Sequence, residues 1–335
     1  MDKTVLLIGG EGYIGSVLCS QLINNGYNVK SMDLLLYNNH SCITKHYGHK
    51  QYEFIFGDMA NEAVLKKALD GVEYVVLLAG LVGDPITKKY PSAAKAINDK
   101  GVKTVIDTCN NSKIKRLIFI STCSNYGLIK NNDLADEKYH LKPLSLYAKS
   151  KVAAEKYILS LKNSVNYHPT ILRFSTAFGL SPRMRFDLTI SEFTREIFLG
   201  NELIVFDADT WRPYCHTQDF SSLIQKVMEA PEKDISFEVF NAGGNKNNYT
   251  KKMIIDEILK LIPNGKVKYQ EHGSDPRNYK VDFSKVQSVL GFEPNYSIPI
   301  GIKELISAMD KYLFELVDIN RNFFGNYSIN YPLKD

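Results

Sequence analysis

The sequence predicts an α/β protein: a doubly wound parallel sheet with a smaller, interleaved lobe supplied by the C-terminal half. Three observations carry this. From residue 4 to about 175, short β-branched runs alternate with longer helical patterns, the signature of repeated βαβ units. The strand runs are apolar almost throughout, as expected of strands covered on both faces. A glycine run falls where the first strand turns into the first helix.

In chain order the elements read TVLLIG, a helix over 13–25, YNVKSMD, YEFIFGD, a helix over 62–70 and VEYVVLLAG. A helix over 93–110 follows, then RLIFIS, a helix over 146–161 and TILRFS. Residues 1–175 therefore form the expected nucleotide-binding domain, and 176–335 the second lobe. In the lobe the pattern is less regular, with helices expected at 187–199, 217–229, 250–262 and 301–314 and short strands LIVF and FEVFN. With no Pro/Gly/Ser linker and no repeat, the lobes should pack together. The last dozen residues, rich in Asn and Tyr, read as loosely tied.

Composition excludes several classes. A chain of 335 residues with 44% apolar and 23% charged residues suits a folded enzyme. The net charge of +4 is spread along the chain without a basic stripe, so nucleic acid is not an expected partner. Five cysteines with no CxxC pair fit a reducing compartment, and the scattered histidines complete no metal-ligand set. The chain runs into a strand at Thr4 without an export leader, and its apolar runs are too short to span a bilayer. A cytoplasmic protein is expected.

Gly9, Gly12 and Gly15 form GxxGxxG between strand and helix. There a helix N-terminus meets a pyrophosphate and missing side chains admit the dinucleotide's close approach, as in a Rossmann-type sheet. Asp33 ends the second strand, 18 residues beyond Gly15, where it either accepts from the adenosine ribose hydroxyls or caps a turn. Leucines follow it and no arginine lies beside it in sequence, which favours NAD over NADP.

Tyr147 and Lys151 stand four apart in YAKSK, one helical turn, so both side chains share a face. A phenol of ordinary pKa about 10 is a poor base, but an adjacent ammonium and a positive nicotinamide favour its phenolate. Upstream, Ser121, Thr122 and Ser124 fall at the carboxyl end of the fifth strand, where open α/β sheets bind ligands.

Taken together these segments resemble the extended short-chain dehydrogenase/reductases, specifically the NAD-dependent nucleotide-sugar epimerase/dehydratase family, over nearly the whole chain. GGEGYIG, with Gly9, Gly12, Tyr13, Ile14 and Gly15, resembles the family's glycine fingerprint. GDMAN resembles its adenine-binding segment, with Asp58 and Met59. LLAGLVGD resembles its loop under the nicotinamide, with Ala79 and Gly80 toward the cofactor and Val82 toward substrate. The resemblance implies Thr122 as hydroxyl partner, Tyr147 as acid/base and Lys151 as the group that holds the ribose and lowers the tyrosine pKa; Thr122 and Ser124 also face substrate. WRPYCHTQD and GSDPRNY resemble its substrate-pyrophosphate segments, which makes Arg212 and Arg277 a bidentate clamp. Arg183 and Arg185 of SPRMRFDL either join the same diphosphate or face solvent. Asn98 matches a family Asn, with a helix cap or surface residue as the alternative. The family commonly pairs through two helices, here 92–111 and 145–162, so a homodimer is expected.

The implied activity is oxidoreduction or epimerisation at C4 of a nucleotide-diphosphate sugar through a 4-keto sugar. The alternative is a 4-dehydrogenase or 4-keto reductase that releases its product. LVGDP and SPRMRFDL are similar to bacterial polysaccharide enzymes, including GDP-heptose 4-dehydrogenases. A non-catalytic NAD sensor is a further alternative, which the intact Thr122, Tyr147 and Lys151 set disfavours. Two departures stand out: Ser175 and Thr176 occupy a segment where many members carry Asn, and Cys123 and Ser124 stand where related 4,6-dehydratases have Asp and Glu. His216 is expected to be structural.

Overall fold

The computed structural model describes residues 3–129, 133–273, 275 and 277–332. Its centre is a seven-stranded sheet. In chain order the strands are β1 (Thr4–Ile8), β2 (Asn28–Asp33), β3 (Tyr52–Phe56), β4 (Tyr74–Leu77), β5 (Arg116–Thr122), β6 (His168–Phe174) and β7 (Glu238–Ala242). Their spatial order is β7-β6-β5-β4-β1-β2-β3, and every pairing is parallel. The order reverses between β1 and β4, and the crevice at the carboxyl ends of the strands there is where such sheets take ligands.

Successive residues of each strand feed opposite cores, which is why the strands read as continuously apolar. Val5, Leu7, Val29, Val76, Ile118 and Leu172 pack on one face against Leu18 and Leu22 of the helix Gly15–Asn24 and against Phe220, Leu223 and Ile224 of the helix Thr217–Glu229. Leu6, Ile8, Val75, Leu77, Leu117, Phe119 and Ile171 pack on the other against Ile97, Val105, Ile106 and Ile158. Short polar side chains start several helices: Asn61 accepts from the amides of Ala63 (3.1 Å) and Val64 (3.3 Å), and Thr250 from that of Met253 (3.1 Å).

FEVFN, read from the sequence as a lobe strand, instead closes the central sheet as β7, with Phe240 opposite Leu172. An apolar strand next to the exposed edge of β6 gains a full ladder there, and the helix Thr217–Glu229 covers the sheet with it. The remaining C-terminal elements form the lobe, whose own core includes Phe178, Ile190, Phe193, Tyr214, Ile254 and Ile302. Among the described residues no helix is long and apolar enough to cross a membrane, all five cysteines are free and buried, and no cluster of His, Cys, Asp and Glu suits a metal ion.

Candidate active site

A cleft of about 540 Å³ opens at the switch point, and every site residue expected from the sequence lines it. Gly9 ends β1 in the left-handed region (φ 89°), its N–H donates to the Met32 carbonyl at 2.7 Å, and a Cβ there would lie 2.7 Å from the Ala79 nitrogen. Only glycine satisfies both constraints. At Gly12 a Cβ would meet one protein atom within 4 Å, the Gly9 carbonyl at 3.3 Å. The space a side chain would fill belongs to the cleft, so this cradle fits a dinucleotide. The helix Gly15–Asn24 starts without a side-chain cap, so no side chain competes with an anion at its N-terminus.

Asp33 accepts from the Glu11 amide (3.0 Å) and the Leu35 amide (2.8 Å) while lining the cleft. The two readings of Asp33 are thus compatible: the backbone bonds fix a carboxylate that still lines the cleft. Burial pushes its pKa up, and these bonds together with the charge of Arg183 push it back. Asp58 accepts from the Ala60 amide at 2.8 Å and from the Tyr331 hydroxyl at 2.9 Å. Asn98 is a buried residue in a π-turn (Lys95–Gly101), so it is neither cap nor surface group. Its amide takes Leu81 from both sides, accepting from Leu81 N at 2.7 Å and donating to Leu81 O at 3.0 Å, which pins the loop bearing Ala79, Gly80 and Val82.

Ser145 caps the helix Leu146–Ser160, accepting from the Ala148 amide at 3.1 Å. That sets Tyr147 and Lys151 toward the end of β5, where Thr122 lies and accepts from the Ser124 amide at 3.1 Å. Lys151 donates to the Ile120 carbonyl at 2.6 Å, and its nitrogen lies 5.9 Å from the centre of the Tyr147 ring. Burial lowers the Lys151 pKa to about 8 while Glu155 opposes the shift. Burial also raises Tyr147, with Arg185 and Arg277 pulling it back. Phenolate formation therefore rests on nearby positive charge.

Glu155, four residues beyond Lys151, is a site residue that the sequence reading missed, although the four-residue spacing of Tyr147 and Lys151 extends to it. It accepts from Ser121 Oγ (2.5 Å), Asn125 Nδ2 (2.9 Å) and Arg173 Nη2 (2.7 Å), tying the helix Leu146–Ser160 to β5 and β6.

All four candidate arginines line the cleft and are buried or half-buried, so none simply faces solvent. Arg212 and Arg277 share Asp275, at 3.1 and 2.8 Å from its Oδ2. Arg277 also lies 3.5 Å from Asp84 and 3.4 Å from Ser124 Oγ. Arg185 makes a bidentate pair with Asp187 at 2.9 and 2.6 Å. Ser175 turns its hydroxyl to the Ala242 carbonyl at 2.7 Å. His216 is buried between Glu304 (3.0 Å) and the stacked ring of Tyr296; burial lowers its pKa to about 4. Of the last dozen residues, expected to be loosely tied, two of the described ones are held to the cleft: besides Tyr331, Asn326 donates to the Val82 carbonyl at 3.0 Å.

The sequence pattern of the NAD dependent epimerase/dehydratase family matches residues 5–243. The chain belongs to that family. Among its relatives, the UDP-glucuronate 4-epimerase of Thermodesulfobacterium geofontis is 26% identical over 90% of this chain and 94% of its own length. A low-salt glycan biosynthesis protein of Haloferax volcanii is 25% identical over 92% and 98%. The solved UDP-glucuronic acid 4-epimerase of Bacillus cereus, in complex with UDP-glucuronic acid and NAD, superposes with a TM-score of 0.83 at 24% identity, covering 92% of this chain and 99% of that one. At that identity the likeness establishes the fold. In this epimerase/dehydratase family member NAD is the cofactor. NAD(H) should bind at least about tenfold more tightly than NADP(H), because the anchored Asp33 carboxylate repels a 2′-phosphate; equal affinities by calorimetry would contradict this.

Proposed function

We propose that the protein oxidises and re-reduces C4 of a nucleotide-diphosphate sugar. The observation that carries this is the meeting of Thr122, Tyr147 and Lys151 with the glycine loop and the arginines in one cleft. Bound NAD supplies the hydride acceptor, and its reduced form the donor. Thr122 hydrogen-bonds the C4 oxygen, Tyr147 takes its proton as the C4 hydrogen leaves as hydride, and Lys151 holds the phenolate form. Arg212 and Arg277 clamp the diphosphate, their shared Asp275 keeping both guanidinium groups aimed. The 4-keto sugar then either receives the hydride on its other face, giving the epimer, or leaves. UDP-sugars named for the relatives are the leading substrates, and a GDP-heptose is the alternative. The same reading includes a cytoplasmic location and a homodimer through the helices 92–111 and 145–162, whose exposed faces Lys103, Asp107 and Tyr157 already link.

Dehydration lacks its machinery on this reading. Cys123 is fully buried, donates to the Arg173 carbonyl at 3.1 Å and has its thiol pKa pushed up by burial. Ser124 has no useful basicity near neutral pH. Asp84 lies in the same cleft, 3.5 Å from Arg277. Incubation with a panel of UDP-, GDP-, CDP- and dTDP-sugars, followed by mass spectrometry and NADH absorbance, is expected to give a C4 epimer or 4-ketone that keeps its C6 oxygen. A product lighter by one water would refute the assignment.

A further inference from the structure

Three of the cleft arginines carry a carboxylate partner, and the fourth does not. Arg212, Arg277 and Arg185 pair with Asp275, with Asp275 and Asp84, and with Asp187. Arg183 is 3% exposed and makes no ion pair among the described residues, and its Nε is buried without a hydrogen-bond partner. Its Nη2 donates to the Gly325 carbonyl at 3.1 Å and to Asn326 Oδ1 at 2.8 Å, and the Tyr37 ring centre lies 4.5 Å from its guanidinium carbon. Burial and the neighbouring Arg185 weigh against its charge, and the more distant Asp187 and Asp33 offset them only in part. A buried cation without a counter-ion is costly, and a ligand anion in the cleft relieves that cost.

The surroundings specify which anion. Ser181, two residues before Arg183, donates to the Tyr13 carbonyl at 2.7 Å and lies 3.1 Å from Ser16 Oγ. The turn that carries Arg183 therefore rests on the start of the helix Gly15–Asn24. Tyr37 and Asn39 come from the loop after β2, beyond Asp33, and Tyr37 Oη and Asn39 Oδ1 are also buried without partners. Arg183, Tyr37, Asn39 and Asp33 all line the cleft. Three unsatisfied polar groups thus gather on the dinucleotide side, away from the pairing of Arg212 and Arg277 with Asp275.

We propose that Arg183 is a cofactor ligand: its guanidinium, carried over from the C-terminal half and aimed by Gly325 and Asn326, binds a phosphate of the dinucleotide on the glycine loop. The C-terminal segment then serves cofactor retention, since it also holds Asp58 through Tyr331 and the Val82 carbonyl through Asn326.

Calorimetric titration of the full-length protein, cleared of bound nucleotide, tests this with NADH, ADP and adenosine as probes. Arg183→Ala should weaken NADH and ADP by about tenfold or more, the scale of a charge-assisted contact to phosphate, and leave adenosine within about twofold. Arg183→Lys, which keeps the charge, should recover part of the loss, and Arg183→Met, which removes the charge but keeps most of the volume, carries the test if the alanine variant fails to fold. NADH affinity within about twofold of wild type in the alanine or methionine variant would overturn the assignment, as would equal losses for ADP and adenosine, which would mark a packing role.

Discussion

Tyr147→Phe is expected to keep its fold and its NAD but to lose turnover by about two decades or more, the usual scale of general acid/base catalysis. The substitution removes one oxygen and leaves the ring where it stands, with Lys151 5.9 Å from its centre. What disappears is the group that, on the proposed mechanism, exchanges a proton with the C4 oxygen. Burial raises this phenol while Arg185 and Arg277 pull it back, and the neighbouring Lys151 is itself lowered to about 8 by burial with Glu155 opposing. Single-turnover rates with the best nucleotide sugar from the panel would measure the effect. A variant that keeps more than about a tenth of the wild-type rate would remove the phenol from the proton path.

The largest stability effect should come from Glu155. The pair Glu155–Arg173 is almost wholly buried, at 2% and 5% side-chain exposure with a 2.7 Å contact. Ser121 and Asn125 donate to the same carboxylate, and Arg173 reaches on to the Tyr126 hydroxyl at 3.0 Å, which donates to Asn241 at 2.7 Å. Glu155→Ala strands a buried guanidinium, a change that costs roughly 3–5 kcal/mol. Chemical denaturation should register that loss, whereas the double change Glu155→Leu with Arg173→Met should cost much less because no lone charge remains. Equal losses in the two variants would show that the pair's charge is not what matters.

Much of the site was legible because its chemistry is local. The glycine run needs only a strand before it and a helix after it, and Tyr147 and Lys151 need only one helical turn. Alternating cores on the two sheet faces likewise follow from apolar runs in β1, β4, β5 and β6. The sequence failed where a contact spans the chain. FEVFN has the same composition whether it pairs in the lobe or with β6, and only the available edge decides.

By itself, the sequence determined the parallel sheet, the glycine loop, the acidic end of β2 and the shared helix face of Tyr147 and Lys151, since each is set by spacing within one element or one turn. Tertiary structure alone decided the rest. It brought Asp275 between Arg212 and Arg277, bound the C-terminal residues to Asp58 and Val82, and turned Asn98 onto Leu81. It also carried Arg183, which has no arginine-like neighbour near Asp33 in sequence, onto the loop that follows Asp33. The physical reason is that a buried polar group must find its partner wherever the fold delivers one, and that partner's position in the chain is invisible to local pattern.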